Sequence, residues 1–184
     1  MSVSILTNNC RGLGGIEKRR DVLNYLKQKN FSIYLLQDTH FTLDDYNQVR
    51  SFWGGDVYIS PGQSNARGTA ILFNNNFEYT ILNEHKDEEG NFLILEINIF
   101  KKYDILLINL YGPNNDNPNF FQSISDIISN FHGEFVIMAG DFNLVQDTNL
   151  DYYNYNNVNN KKSKRKGFAY ERCTQFKRSL ESEA

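Results

Sequence analysis

The sequence predicts an α/β fold with mixed pairing, not a purely parallel, doubly wound sheet. Apolar strand-like runs and amphipathic helical stretches interleave along the chain, the two periodicities being 2 and 3.6. Between residues 68 and 111 successive strands are joined by short turns, which indicates antiparallel neighbours. A last apolar run, 135–139, follows the final helical stretch and closes the pattern.

Residues 2–8 (Ser-Val-Ser-Ile-Leu-Thr-Asn) read as the first strand. Three glycines among residues 9–15 break it. A glycine-rich turn between strand and helix suggests phosphate cradling, although neither dinucleotide nor Walker spacing is present. Ile16, Val22, Leu23 and Leu26 fall on one face of a helix running to Lys29, with Lys18, Arg19 and Arg20 outside. Residues 31–37 read as a strand buried on both faces, running straight into Asp38-Thr39-His40. His40 is either a ligand or, the commoner case, a partner for nearby backbone. Thr42 and Asp45 resemble a capping box and point to a short helix.

Trp53-Gly54-Gly55 reads as a turn, and 57–60, 68–73 and 77–82 as strands. Asp87-Glu88-Glu89-Gly90-Asn91 reads as a solvated hairpin turn, because calcium loops alternate their ligands. Leu93, Leu95, Ile97 and Ile99 alternate cleanly, and 104–111 is the next strand. Pro118 suits a helix's first turn, and Phe120, Phe121, Ile124, Ile127, Ile128 and Phe131 give that helix a broad apolar face.

Phe135-Val136-Ile137-Met138-Ala139 reads as a short buried strand, and Gly140 then releases the backbone. Asp141 and Asn143 follow at alternate positions, so in strand geometry they project together from the strand's end. Such ends are where open α/β sheets place ligands. The competing reading of the same residues is a turn.

A chain of 184 residues fits one domain with a sizeable core. The expected division is an ordered domain at 1–150 and a polar tail at 151–184, expected to be poorly ordered. That tail is rich in Tyr and Asn and carries five basic residues among positions 161–166, a phosphate contact or a solvated linker. A net charge of −3 and an isoelectric point near 5.6 provide no global positive field for nucleic acid, so any phosphate binding must rest on local features. Cys10 and Cys173 make no disulfide framework and lack metal-ligand spacing, which suits free thiols in a reducing compartment. No run approaches the ~18 apolar residues of a membrane span. The alternation after Met1 is unlike a signal peptide, so the expectation is an intracellular chain without membrane contact.

Polar residues thus stand at the ends of apolar strands: Asn9, Asp38, Tyr111 with Asn114, and Asp141 with Asn143. Ile5-Leu6-Thr7-Asn8-Asn9-Cys10-Arg11-Gly12-Leu13, Leu36-Gln37-Asp38-Thr39-His40, Asn109-Leu110-Tyr111-Gly112-Pro113-Asn114 and Gly140-Asp141-Phe142-Asn143 occur in that order. Asn65-Ala66-Arg67-Gly68-Thr69-Ala70-Ile71-Leu72 lies between them. Together these motifs resemble the endonuclease/exonuclease/phosphatase superfamily. The likeness is strongest to the amino-terminal endonuclease domain of LINE-type retrotransposons, a relative of the apurinic/apyrimidinic endonucleases. It covers residues 2 to about 160 and implies a four-layer sandwich: two mixed β-sheets packed face to face, with helices outside.

The resemblance implies divalent-metal-dependent hydrolysis of a DNA phosphodiester, with Mg²⁺ as cofactor and Mn²⁺ as a substitute. It matches Asn9 and Asp38 to metal-binding positions and Asp141 to the group that activates water. Asn143 matches a phosphate-holding position, and Tyr111 and Asn114 match contacts to the scissile phosphate. It also implies a DNA partner, a monomer, a nuclear location and, for an intact element, fusion to a reverse transcriptase. The alternatives are a repair-type exonuclease or apurinic-site endonuclease, a non-catalytic nucleic-acid-binding remnant, and a phosphomonoesterase.

Two departures from the family pattern matter. The metal-binding acid is normally a glutamate, and Asp38 is one methylene shorter, so weaker metal binding is expected unless the backbone compensates. The family's Ser-Asp-His near the carboxyl terminus has no counterpart, since His40, His85 and His132 all precede Asp141. The resulting expectation is a chain lacking its C-terminal strands, with weak or lost activity of its own.

Overall fold

The structure, a computed structural model, describes residues 2–63, 66–113 and 117–143. The described residues fall into two compact units: one holds those up to Tyr111 together with His132–Asp141, the other those of Gly112–Phe131 together with Phe142 and Asn143. The division expected near residue 150 lies outside the described residues.

The first unit holds two four-stranded sheets. Strands β1 (Ile5–Asn9), β2 (Ile33–Gln37), β3 (Val57–Ser60) and β4 (Thr69–Phe73) form one sheet in the order β1-β2-β4-β3. Strands β5 (Tyr79–Lys86), β6 (Phe92–Ile99), β7 (Tyr103–Tyr111) and β8 (Phe135–Asp141) form the other in sequence order. Each sheet is mixed: β1–β2 and β7–β8 are parallel, the remaining pairs antiparallel. The predicted α/β sandwich is therefore present, with mixed pairing in both sheets.

Period-two patterning explains how the sheets pack. Leu93, Leu95, Ile97 and Ile99 of β6 meet Ile33, Leu35, Ile71 and Phe73 of the first sheet in one apolar cluster. The opposite faces of β2 and β4 supply Tyr34, Leu36, Ala70 and Leu72 to a second cluster. That cluster takes Leu23 and Leu26 from helix α1 (Ile16–Lys29), and Val49 and Trp53 from helix α2 (Tyr46–Trp53). β2 is buried at all five positions because helices cover one face and a sheet the other. Trp53 ends α2 instead of opening a turn; its indole donates to Phe73 O at 2.7 Å, and Gly54 caps the helix at φ 79°.

Three sequence expectations are corrected. The inward stripe of α1 begins at Arg19, which is 1% exposed, whereas Ile16 is 55% exposed. Arg19 sits one turn before Leu23 on the same face, and its charge is answered by polar partners described below. β8 is not a buried core strand. It lies at the edge of its sheet among the described residues, with Phe135 51% and Val136 41% exposed. Third, strand geometry ends at Asp141, and Asn143 takes a left-handed φ of 50°. The every-second-residue argument therefore does not reach Asn143.

In the second unit, helix α3 (Pro118–Ser129) starts with Pro118 at its first turn, and the Asn117 side chain accepts from Phe120 N at 3.3 Å. Phe120, Phe121, Ile124 and Ile128 are buried, as the apolar stripe predicts.

Candidate active site

Parallel pairing puts the ends of β1 and β2 side by side, and likewise those of β7 and β8. Asn9 is the last residue of β1 and pairs with Gln37, after which Asp38 leaves β2. Tyr111 and Asp141 are register partners at the ends of β7 and β8. The two sheets meet at this rim, where Asn9 Nδ2 donates to Asp141 Oδ2 at 2.6 Å across 132 residues of sequence. Gly140 lets β8 lie close against β7 just before Asp141: a Cβ there would lie 2.1 Å from Leu110 O, and φ is +147°. Asn9, Asp38, Tyr111 and Asp141 therefore share one rim of the sandwich. Asn143 belongs to the second unit, where its Nδ2 donates to Gly112 O at 2.6 Å. Asn114 and the basic residues at 161–166 lie outside the described residues.

Beneath the rim a buried polar network fixes the two sheets to each other. Asn109 is fully buried in β7, and its Nδ2 donates to Leu36 O at 3.0 Å and Ala70 O at 2.9 Å. Gln37 Nε2 donates to Asn109 Oδ1 at 2.7 Å, to Thr7 Oγ1 and to Leu35 O. Buried amides at this density are tolerated only when satisfied, and satisfied they select a single arrangement. Gln37 directly precedes Asp38 and Asn109 stands two residues before Tyr111, so the network sets where β2 and β7 deliver those rim residues.

Much of the glycine-rich stretch after β1 is engaged inside the protein rather than open to a phosphate. The amides of residues 10–13 all donate inside the protein: Cys10 N to Gln37 O, Arg11 N to Asn9 Oδ1, Gly12 N to Asp38 O and Leu13 N to Thr39 O. Its carbonyls are held by cations. Lys18 Nζ reaches Cys10 O and Arg11 O, and Arg19 reaches Leu13 O at 2.9 Å and Gly14 O at 3.1 Å. Arg19 also meets Asp45 at 2.7 Å and Gln48 at 2.6 Å, and its guanidinium lies 5.5 Å from the Phe41 ring. At Asp45 burial works against the charged form. The two Thr42 hydrogen bonds and Arg19 together outweigh it and hold the carboxyl below the usual carboxylate range. Burial pushes the Cys10 thiol up to about 11, more than the Asn8 hydrogen bond and Lys18 can offset.

The tip of the β5–β6 hairpin is a turn, as predicted, but it is tied into the rim. Asp87 Oδ1 accepts from Asn91 N at 2.7 Å and Phe92 N at 3.0 Å. Asn91 O accepts from Tyr111 N at 2.6 Å. Arg67 pairs with Glu89, and this hydrogen bond, with a second from Asn91, holds the Glu89 carboxyl below its ordinary value. Sequence reasoning missed this brace. Arg67 beside the glycine that precedes β4 was the available signal.

The rim's chemistry suits a hard cation. As cation donors, Asn9, Asp38 and Asp141 offer oxygen atoms only. Asn9 turns its Nδ2 to Asp141, which directs its Oδ1 toward Arg11 N at 3.1 Å and leaves that oxygen a second lone pair. Asp38 Oδ1 is held by His40, and among the described residues Oδ2 has no hydrogen-bond partner. Among the described residues no three His, Cys, Asp or Glu side chains converge. A cation here would therefore keep several waters, the habit of Mg²⁺. No helix among the described residues is long and apolar enough to cross a membrane.

Solved proteins share this fold. No profile of a known protein family matches the chain. It is 28% identical over 151 residues to a 149 kDa protein of transposon TX1 from Xenopus laevis, across 80% of this chain and 11% of that one. Among solved structures, the AP endonuclease of Leishmania major superposes with a TM-score of 0.69 at 19% identity, over 97% of this chain and 66% of the other. The endonuclease domain of TRAS1, a telomere-specific non-LTR retrotransposon, gives 0.54 at 15% identity, over 78% and 61%. The chain spans about a tenth of the curated relative and just under two thirds of these solved chains. Its fold is that of the endonuclease/exonuclease/phosphatase sandwich.

Proposed function

We propose that this chain is a divalent-metal-dependent phosphodiesterase that nicks DNA, in the manner of a LINE-type retrotransposon endonuclease. The observation that carries the reading is the hydrogen bond between Asn9 and Asp141. It joins the two sheets at one rim, with Asp38 on the adjacent strand. Support comes also from what is similar to the chain: an AP endonuclease, a retrotransposon endonuclease domain and a transposon-encoded protein. A place within a longer transposon-encoded protein, beside a reverse transcriptase and at nuclear DNA, belongs to this reading.

Asn9 and Asp38 hold the cation through oxygen, and Mg²⁺ or Mn²⁺ fits that donor set. When bound, such an ion neutralises charge on the phosphoryl oxygens and eases deprotonation of water. Asp141, steadied by the Asn9 amide, orients the attacking water and takes its proton. Tyr111, its register partner, contacts the scissile phosphate.

The test is relaxation of supercoiled plasmid by the full chain with Mg²⁺, with chelator, and after Asp141→Ala. Metal-dependent nicking lost in the variant is expected. Nicking indifferent to both chelator and Asp141→Ala refutes the assignment. A duplex with one abasic site separates the repair-type alternative, which predicts incision there and little nicking of intact plasmid.

A further inference from the structure

We infer that His40, seated against Gly12, is a positioning residue for the Asp38 carboxylate and thereby sets this chain's affinity for a divalent cation. The inference rests on the metal-binding reading above and concerns how a short aspartate serves at that position.

An aspartate reaches one methylene less far than a glutamate, so backbone and orientation must supply what the side chain lacks. Asp38 and His40 both have left-handed backbones, with φ of 51° and 57°. Asp and His are among the few non-glycine types that enter this region readily. The turn is pinned from two sides. Gly12 N donates to Asp38 O and Leu13 N to Thr39 O, both at 2.7 Å. Thr39 N donates to Gly68 O at 3.0 Å and His40 N to Arg67 O at 2.8 Å. Unusual backbone held by so many bonds is characteristic of functional positions.

The turn brings His40 Nε2 to 3.0 Å from Asp38 Oδ1. A carboxylate oxygen accepts, so Nε2 carries the proton. The ring also lies against Gly12, where an added Cβ would stand 2.8 Å from Nδ1 and 3.0 Å from Cε1. Nε2 is thus spoken for by Asp38, and among the described residues neither ring nitrogen bonds to backbone. With the side chain 31% exposed, burial alone does not hold the ring. Gly12 and Asp38 do. Loss of a hydrogen-bond partner behind a metal-binding group typically costs 10–100-fold in metal affinity.

Titration of the chelator-treated full chain with MnCl₂, followed by electron paramagnetic resonance of the unbound aquo ion, tests this. The expected results are binding abolished by Asp38→Ala, weakened about 10–100-fold by His40→Ala, and largely restored in His40→Gln, whose amide places a donor near the same point. Gly12→Ala should match His40→Ala, because it displaces the ring without removing it. Thermal unfolding in chelator distinguishes positioning from general damage. A His40→Ala chain that unfolds like the parent yet binds Mn²⁺ weakly supports the inference. Unchanged Mn²⁺ affinity in folded His40→Ala, with Asp38→Ala still abolishing binding, overturns the inference alone. Binding indifferent to Asp38→Ala overturns the metal-site reading and this inference with it.

Discussion

Replacing Arg19 by Ala removes a guanidinium that is 1% exposed and holds four partners at once: Leu13 O, Gly14 O, Gln48 and Asp45. Breaking a buried ion pair from one side costs about 3–5 kcal/mol, because the abandoned groups stay desolvated. Asp45 is 23% exposed and keeps its Thr42 hydrogen bonds, which favours the lower end of that range. Arg19→Lys keeps the charge but loses the fork, so it should destabilise by about half as much. Urea unfolding followed by fluorescence is direct, because Trp53 is the single tryptophan and packs on Tyr34 at 4.8 Å. With a slope of about 2 kcal/mol per molar urea, Arg19→Ala should lower the midpoint by roughly 1.5–2 M at unchanged slope. The loop after β1 hangs on Arg19, so Mn²⁺ affinity should fall as well. A midpoint shift below about 0.3 M is what an exposed helix arginine would give, and would refute the buried-clamp reasoning.

Asn109→Leu leaves Leu36 O, Ala70 O and Gln37 without their partner. It should cost about 3 kcal/mol, read as a melting temperature lower by roughly 6–12 °C in calorimetry; near-parental melting would show that the network is not holding the sheets. Cys10 is 7% exposed with its thiol pushed up to about 11. Mass spectrometry after iodoacetamide at pH 8 should find it unmodified in the folded chain and alkylated in urea, and rapid native labelling would contradict its burial. Asp45 is held below its ordinary 3.8 by Thr42 and Arg19 despite burial. A depressed folded value adds stability that is complete above the unfolded value and is lost as pH falls through the folded one. Melting temperature should therefore drop below about pH 4, and the drop should be shallower in Asp45→Asn; equal slopes would mean that other carboxyls carry the acid sensitivity.

The strands and helices were legible because their signal is local. Alternation at 93–99 and the stripe of α3 report side-chain burial directly. The order of polar residues at strand ends also pointed to one rim before any geometry was known. What sequence could not give is who answers a charge. Arg19 looks like a surface arginine among Lys18 and Arg20, because its partners Asp45 and Gln48 lie 26 and 29 residues away. The glycine-rich stretch looked like a phosphate cradle, because only tertiary pairing with β2 takes up its amides. The apolar run at 135–139 looked like a core strand, yet half-exposed edge strands can be equally apolar.

Residue types and their order determined the mixed α/β sandwich and the set of oxygen-bearing side chains available for chemistry, since periodicity and donor chemistry are properties of the chain itself. Tertiary structure alone decided that Asn9 touches Asp141, that Asn109 locks the sheets beneath them, and that His40 turns back on Asp38. Those contacts depend on register and on left-handed backbone at single residues, and neither leaves a periodic trace in the sequence.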